Sequence, residues 1–252
     1  MEDTNIKVKS LYKALKLLDC FSEQNTLLGI SEVSEKAALP KSTVHNIFST
    51  FAVCGILVQD SKTGKYHLGP KIVQLSNSYF ASSTSMKAVS SEMEKLSSIF
   101  NENVYYGTLF EDQVLYLEAV HGSTLSRSTS IIGATAPLHC TGIGKCILAW
   151  LSDPALIDRL CKKGLRKFTD NTITSRTLLE KELAEIREQG YAVDNMEHEY
   201  GVKCVAVPIF RSNGVLSGAI SISCPSLRVE GKELAFAQTL YRAQQTLKSF
   251  IF

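Results

Sequence analysis

Ser221 and Ser223 lie in an apolar run, Val215 to Ser223, that reads as a strand, so both hydroxyls project from one face. Val202 to Phe210 reads as its hairpin partner, turned by Arg211-Ser-Asn-Gly214, and puts Cys204 where it can share that face. Upstream, Pro137-Leu-His-Cys-Thr-Gly-Ile-Gly-Lys145 is a loop running into a helix, whose unsatisfied backbone N–H groups make an anion site. Asp194 ends a short strand, Tyr191 to Asp194, and offers an acceptor for a ligand hydroxyl. Hydroxyls, helix N–H groups and one carboxylate, with no obvious Arg among them, converge on a candidate pocket. Each has a plainer role as well. Cys204 amid Val202, Val205 and Val207 is an ordinary small core residue, and Asp194 can cap a turn. Only their joint occurrence favours a binding site.

Sharper chemistry finds less support. Gly144-Lys145 hints at a phosphate loop, but His139 stands where the leading Gly is needed and Cys146 where Ser or Thr is needed. A cysteine hydrolase would pair Cys204 or Cys140 with His139 or His198, yet no nucleophile elbow or oxyanion motif accompanies them. His121, His139 and His198 have no metal-ligand spacing. No catalytic residue, metal or cofactor is therefore expected.

A second set of chemically active residues lies near the N-terminus. In Lys41 to Phe51 the apolar Val44, Ile47, Phe48 and Phe51 follow one helical face, while Ser42, His45, Asn46 and Ser49 occupy the other. A short helix with small hydrogen-bonding side chains on one face suits a major groove, where base edges present donors and acceptors. Ile30, Val33 and Ala37 mark a shorter preceding helix, for which Ser31 is the candidate N-cap, and Leu39-Pro40 makes the turn. Past Gly55 the period changes to strand, turn and strand: Ile56 to Asp60, Ser61-Lys-Thr-Gly64, Lys65 to Gly69, with Gly64 free to take positive φ. Helix, turn, helix and a basic-tipped hairpin describe a winged helix-turn-helix. Ser42, Thr43, His45 and Asn46 are then the base-reading set, and Lys41, Lys62 and Lys65 the phosphate contacts. The plainer reading is a small helical bundle used for protein contacts.

The 252 residues, 44% hydrophobic and 21% charged, supply two modest cores. A net charge of +2 means that DNA binding rests on the motif, not on a basic surface. No apolar run approaches the ~20 residues needed to span a bilayer, and Met1-Glu-Asp-Thr-Asn5 lacks signal-peptide character. Seven cysteines without a Cys-x-x-Cys argue against a disulfide framework and a zinc site. A cytoplasmic protein without membrane partners is expected.

Along the chain, Val8 to Phe21 reads as an amphipathic helix carrying Leu11, Ala14, Leu15, Leu18 and Phe21 on one face. Pro70 opens a helical linker weakened near Ser82-Ser-Thr-Ser85, and Met86 to Phe100 forms a further helix. Val104 to Phe110 and Val114 to Val120 read as a hairpin, and Ser128 to Ile132 as an added strand. Helical periodicity returns at Gly144 to Leu151, Ala155 to Cys161, Leu178 to Gln189 and Lys232 to Phe252. Strand pairs alternating with helices give an α+β sheet with helices packed on it.

The run Gly29-Ile-Ser-Glu-Val-Ser-Glu-Lys-Ala-Ala-Leu-Pro-Lys-Ser-Thr-Val-His45 and the Gly64-Lys-Tyr-His-Leu-Gly69 wing resemble the DNA-binding domain of the IclR family of bacterial transcription regulators. Asn46 stands where family members often carry Arg. The Leu138 to Lys145 loop, the stretch from Asp194 to Cys204 and the Ser221-Ile-Ser223-Cys-Pro strand end are similar to that family's effector-site motifs. The resemblance covers nearly the whole chain. It implies a winged helix-turn-helix domain (1–69), a helical linker (70–85) and a GAF-like α+β effector-binding domain (86–252). It further implies that the N–H groups around Gly142 and Ile143, with the Ser221 and Ser223 hydroxyls, hold a small carboxylate, while Asp194 and Cys204 contact its other end. Ile143 is bulkier than the Ala often found there. The expected protein is a ligand-responsive regulator, more a repressor than an activator. Its expected partners are double-stranded DNA as a pseudo-palindromic operator, a small carboxylate or keto acid, and a second copy of itself in a homodimer or dimer of dimers. The alternative is a metabolite-binding module or cysteine-dependent enzyme whose N-terminal bundle mediates protein contacts.

Overall fold

The computed structural model describes residues 6–22, 25–81, 84–122, 131–151 and 153–250. The chain divides into two compact units, Met1–Ser82 and Ser83–Phe252.

In the first unit, α1 (Lys9–Leu18), α2 (Ile30–Ala37) and α3 (Lys41–Val53) precede a small hairpin of β1 (Leu57–Gln59) and β2 (Tyr66–Leu68), and α4 (Pro70–Ala81) follows. The apolar face read from the sequence makes the core: Val44, Phe48 and Phe51 of α3 are buried with Leu17, Val33, Leu57 and Tyr66. Phe48 stacks against Phe21 and meets the edge of Tyr66, so α3 and the hairpin share one packing centre. Ser31 does not cap α2. Its N-cap is Gly29, whose N–H donates to Glu32 Oε2 at 2.6 Å, because a Glu in the first turn reaches back where the exposed Ser31 lies already inside the helix. Helix α1 starts and ends within the span expected of it, stopping at Leu18. The hairpin pairs Leu57 with Leu68 and Gln59 with Tyr66, and Gly64 takes φ +68° at its tip.

The second unit opens with α5 (Thr84–Phe100), then β3 (Asn103–Phe110), β4 (Gln113–Val120), β5 (Thr135–Pro137), α6 (Gly142–Leu151), α7 (Pro154–Lys163), α8 (Arg176–Gln189), β6 (Ala192–Asn195), β7 (Val202–Phe210), β8 (Leu216–Pro225), the short α9 (Ser226–Val229) and α10 (Glu233–Leu247). Six strands form one antiparallel sheet in the order β5-β4-β3-β8-β7-β6. Both expected hairpins, β3–β4 and β7–β8, pair as read, and β8 also pairs with β3, which brings the two together. The expected strand from Ser128 lies largely outside the described residues, as do Ser82 and Ser83 of the expected linker break. The closing helix ends at Leu247 rather than continuing to the terminus.

Alternation along β7 and β8 divides the sheet's two faces. Val205, Val207, Ile220 and Ile222 are fully buried on one face, under α5 and α10, whose Phe100 and Phe236 rings lie 4.3 Å apart. Ala206 and Ala219 face the other side and pack with Ile143, Cys146 and Ile147 of α6, which is covered in turn by Leu179, Leu183 and Ile186 of α8. The small alanines let α6 approach the sheet closely. An added Cβ on Gly142 would stand 3.4 Å from the Cβ atoms of both Ala206 and Cys204. Toward the end of this α6-facing surface the alanines give way to polar residues.

Candidate effector cavity and DNA-reading helix

A cavity of about 230 Å³ opens between the N-terminus of α6 and the sheet. Gly142, Ile143, Asp194, Cys204, Ser221 and Ser223, read separately from the sequence, all line it. Register explains how: Asp194 pairs with Cys204 and Cys204 with Ser223, one row across three strands. Ser221 lies two residues back along β8, on the same face, and pairs with Tyr105 on β3.

The α6 end is built as an anion site. Thr141 caps the helix: its hydroxyl accepts the Gly144 N–H at 3.1 Å and its carbonyl accepts the Lys145 N–H at 2.9 Å. Gly142 and Ile143, the first two helical residues, keep N–H groups with no intrahelical partner, at the cavity wall. Gly144 permits this entry. A Cβ there would stand 2.4 Å from the Leu138 carbonyl oxygen and 2.5 Å from Leu138 Cα, backbone atoms that cannot rotate away. Gly144→Ala is therefore expected to push α6 off the 137–141 loop, lower stability by about 1–3 kcal/mol and weaken ligand binding; thermal unfolding with and without ligand reads both.

The other polar end rests on a buried ionic cluster. Lys145 is fully buried, and its Nζ donates to Glu182 Oε1 at 2.6 Å and Glu197 Oε1 at 2.5 Å. Those two carboxylates hold its pKa up against burial, which alone would lower it. Glu197 Oε2 is buried without a partner among the described residues. Asp194, 3% exposed, accepts the Glu197 N–H at 2.7 Å. Burial, with the Glu197 charge nearby, pushes its carboxyl up to about 7 despite that hydrogen bond and Lys145. Asp194 is thus turn acceptor and cavity wall at once. Ser223 and Cys204 are hydrogen-bonded across the β7–β8 pair, and burial drives the Cys204 thiol far above its usual range. Cys140 is pushed up to about 12 by burial. Since thiolates are the nucleophilic form, neither cysteine is prepared for covalent catalysis, and His139 is occupied with the Arg166 carbonyl at 3.0 Å.

Sequence reading missed the aromatic wall. Tyr105 and Tyr116, 5.7 Å between ring centroids and edge to face, line the cavity with Thr141, His198 and Val202. The signal was Tyr105 itself, whose strand neighbours point the other way, but only the β3–β8 pairing puts it beside Ser221.

In the first unit, Lys41, Ser42, His45 and Asn46 are exposed on one side of α3, and Thr43 is half-buried at its flank. Lys62 is exposed at the wing tip, where Asp60 accepts its backbone N–H at 3.1 Å. Lys65 is not free for phosphate in the same way: its Nζ pairs with Glu32 of α2 at 2.9 Å.

A helix-turn-helix unit joined to a sheet unit with its own ligand-sized cavity defines a two-part transcription regulator. The models for the IclR helix-turn-helix domain and the bacterial transcriptional regulator IclR C-terminal domain match residues 10–61 and 78–248. The chain belongs to the IclR family of bacterial transcriptional regulators, a family of DNA-binding proteins and not of enzymes. It is 35% identical to the HTH-type transcriptional regulator XynR of Escherichia coli K12 over 94% of each chain. It is 31% identical to the transcriptional repressor IclR of the same organism, over 88% of this chain and 82% of that one. The crystal structure of an IclR homolog complexed with 4-hydroxybenzoate, from Microbacterium hydrocarbonoxydans, superposes with a TM-score of 0.80 at 24% identity, covering 96% of this chain and 98% of that one. No helix among the described residues is long and apolar enough to cross a membrane.

Proposed function

We propose that this regulator is a repressor whose operator affinity is set by a small carboxylate or keto acid held in the α6 cavity. The Gly142 and Ile143 N–H groups and the Ser221 and Ser223 hydroxyls receive the acid's carboxylate; Asp194 and Cys204 contact the rest. Ser42, Thr43, His45 and Asn46 read bases, while Lys41 and Lys62 contact phosphate. Lys65 joins them only by leaving Glu32. A homodimer, or a dimer of dimers, matches a pseudo-palindromic operator because two-fold protein symmetry is mirrored in the half-sites. The observation that carries the effector reading is that six residues from four separate stretches of sequence line one cavity with the free N–H groups of a helix start in its wall. Relatives named as repressors and a homologue bearing 4-hydroxybenzoate support it.

Thermal unfolding against a panel of small carboxylates tests it, because a ligand bound only by the folded state raises the midpoint by mass action, by about 2.7 kcal/mol at a hundredfold excess over Kd. One acid class is expected to stabilise the wild type and to lose that effect in Ser221→Ala/Ser223→Ala. A panel without any shift would remove the effector assignment and leave a DNA-binding regulator with another signal.

A further inference from the structure

The cavity combines a site for an anion with a buried acid of its own, and the two conflict unless one is neutral. Asp194 lies on β6, in one row with Cys204 on β7 and Ser223 on β8, two strands or about 10 Å from the serine. No Lys or Arg is among the described residues lining the cavity. Among the described residues, the cation that acts on Asp194 is Lys145 on α6, which is shared between Glu182 and Glu197. The cluster therefore holds three carboxylates to one ammonium before any ligand arrives.

We propose, building on the effector reading above, that Asp194 keeps its proton when ligand is bound and donates it to an uncharged oxygen of the ligand. The cavity then admits monocarboxylates carrying a keto, hydroxyl or similar acceptor, rejects dicarboxylates, and takes up a proton as it fills. A protonated carboxyl is a donor, whereas an ionised one only accepts, so the charge state of this one residue decides which second functional group the ligand presents. Burial favours the neutral form of Asp194 and outweighs the Glu197 and His198 backbone N–H groups, which favour the ionised one; Glu199 adds a further carboxylate to the cavity wall. Cys204 from β7, Cys140 from the loop before α6 and Tyr116 from β4 are buried and uncharged. Burial lowers the pKa of His198 in its own loop and leaves the ring neutral near pH 7. Glu197, in the same loop, adds negative charge, and Lys145 is engaged with it. Asp194 by itself titrates at about 7, and an entering anion moves it further toward protonation.

Titration calorimetry of the full chain with pyruvate, glyoxylate and 4-hydroxybenzoate between pH 6 and pH 8 tests this, with terephthalate as the dicarboxylate counterpart of 4-hydroxybenzoate. The probe carboxylates stay ionised over that range, so any slope belongs to the protein. Affinity of an acid that binds is expected to fall toward tenfold per pH unit above about pH 7, the slope of one coupled proton. At pH 8, two buffers of different ionisation heat should report uptake approaching one proton per ligand in the wild type, falling toward none at pH 6, which needs no variant. Asp194→Asn is expected to bind with neither slope nor uptake. Affinity unchanged from pH 6 to pH 8, a slope that survives Asp194→Asn, or terephthalate bound as well as 4-hydroxybenzoate would overturn the proposal while leaving the effector reading intact. No binding by any probe at either pH would remove both.

Discussion

Lys145→Ala is expected to lower the stability of the effector unit by about 3–5 kcal/mol, because removing one partner of a buried pair leaves the other charge uncompensated. For a unit of this size that is a fall in unfolding midpoint of roughly 6–20 °C. The ammonium is fully buried and is the shared partner of Glu182 and Glu197. Glu182 can turn to solvent, its side chain being 26% exposed, whereas the side chain of Glu197 is 5% exposed and already has one oxygen without a partner. The damage should therefore spread along Asn195–Gly201, the stretch that follows Asp194 and brings His198 and Glu199 to the cavity, and ligand binding should weaken together with stability. The partial remedy is specific: Lys145→Met/Glu197→Leu removes both buried charges and is expected to recover most of the lost stability. It should not recover ligand binding fully, since Glu197 also accepts the Asn195 N–H and donates its own to Asp194. Thermal or denaturant unfolding of the three proteins is the check. A Lys145→Ala protein as stable as wild type would mean that the cluster is solvated.

The second large effect is on DNA. His45→Ala and Asn46→Ala are each expected to cost about 1–3 kcal/mol per half-site if they contact base edges, or roughly 5- to 150-fold in affinity, counted twice in a two-fold assembly. Both side chains are exposed on α3 and make no contribution to the Val44, Phe48 and Phe51 core behind it, so stability should stay near wild type. The loss should be larger on operator than on unrelated DNA. Lys62→Ala should behave differently, weakening both alike and reducing the salt slope by about 1. Lys65→Ala should do less than Lys62→Ala, because freeing Lys65 for phosphate first requires breaking its pair with Glu32. Equal losses on operator and random DNA for His45→Ala would place α3 on the backbone instead of in the groove. Unchanged operator affinity would count against this register of the helix altogether.

Local patterning carried most of the fold. The 3.6-residue spacing of Val44, Phe48 and Phe51 and the alternation around Ser221 and Ser223 depend only on neighbours in sequence, and the structure buries and exposes these residues as their pattern requires. The cavity residues were legible because each sits in a recognisable local context: a loop entering a helix, or the polar end of an apolar strand. What could not be read was long-range. Tyr116 lines the cavity because β4 lies two strands from β8, a fact of strand order and not of sequence spacing. The short β5 has too few residues for a period to show, and it is defined only by pairing with β4. Lys145 looked like part of a failed phosphate loop. Its role as a buried countercharge depends on Glu182 and Glu197, distant in sequence and joined only by the packing of α8 and the β6–β7 connection on α6.

Ligand in the cavity can change DNA affinity only by as much as it binds one arrangement of the protein better than another. A coupling of about 1–3 kcal/mol gives a 5- to 150-fold change in operator affinity and requires the reciprocal change in ligand affinity. The most direct test is fluorescence anisotropy of the full chain on labelled DNA from upstream of its own gene, titrated with the acid selected by thermal shift. The wild type is expected to lose operator affinity by 5- to 150-fold at saturating acid, and Ser221→Ala/Ser223→Ala to hold DNA unchanged at the same concentration. Wild-type protein that binds the acid yet keeps its full operator affinity would contradict the account, because the cavity would then be a binding site without a regulatory output.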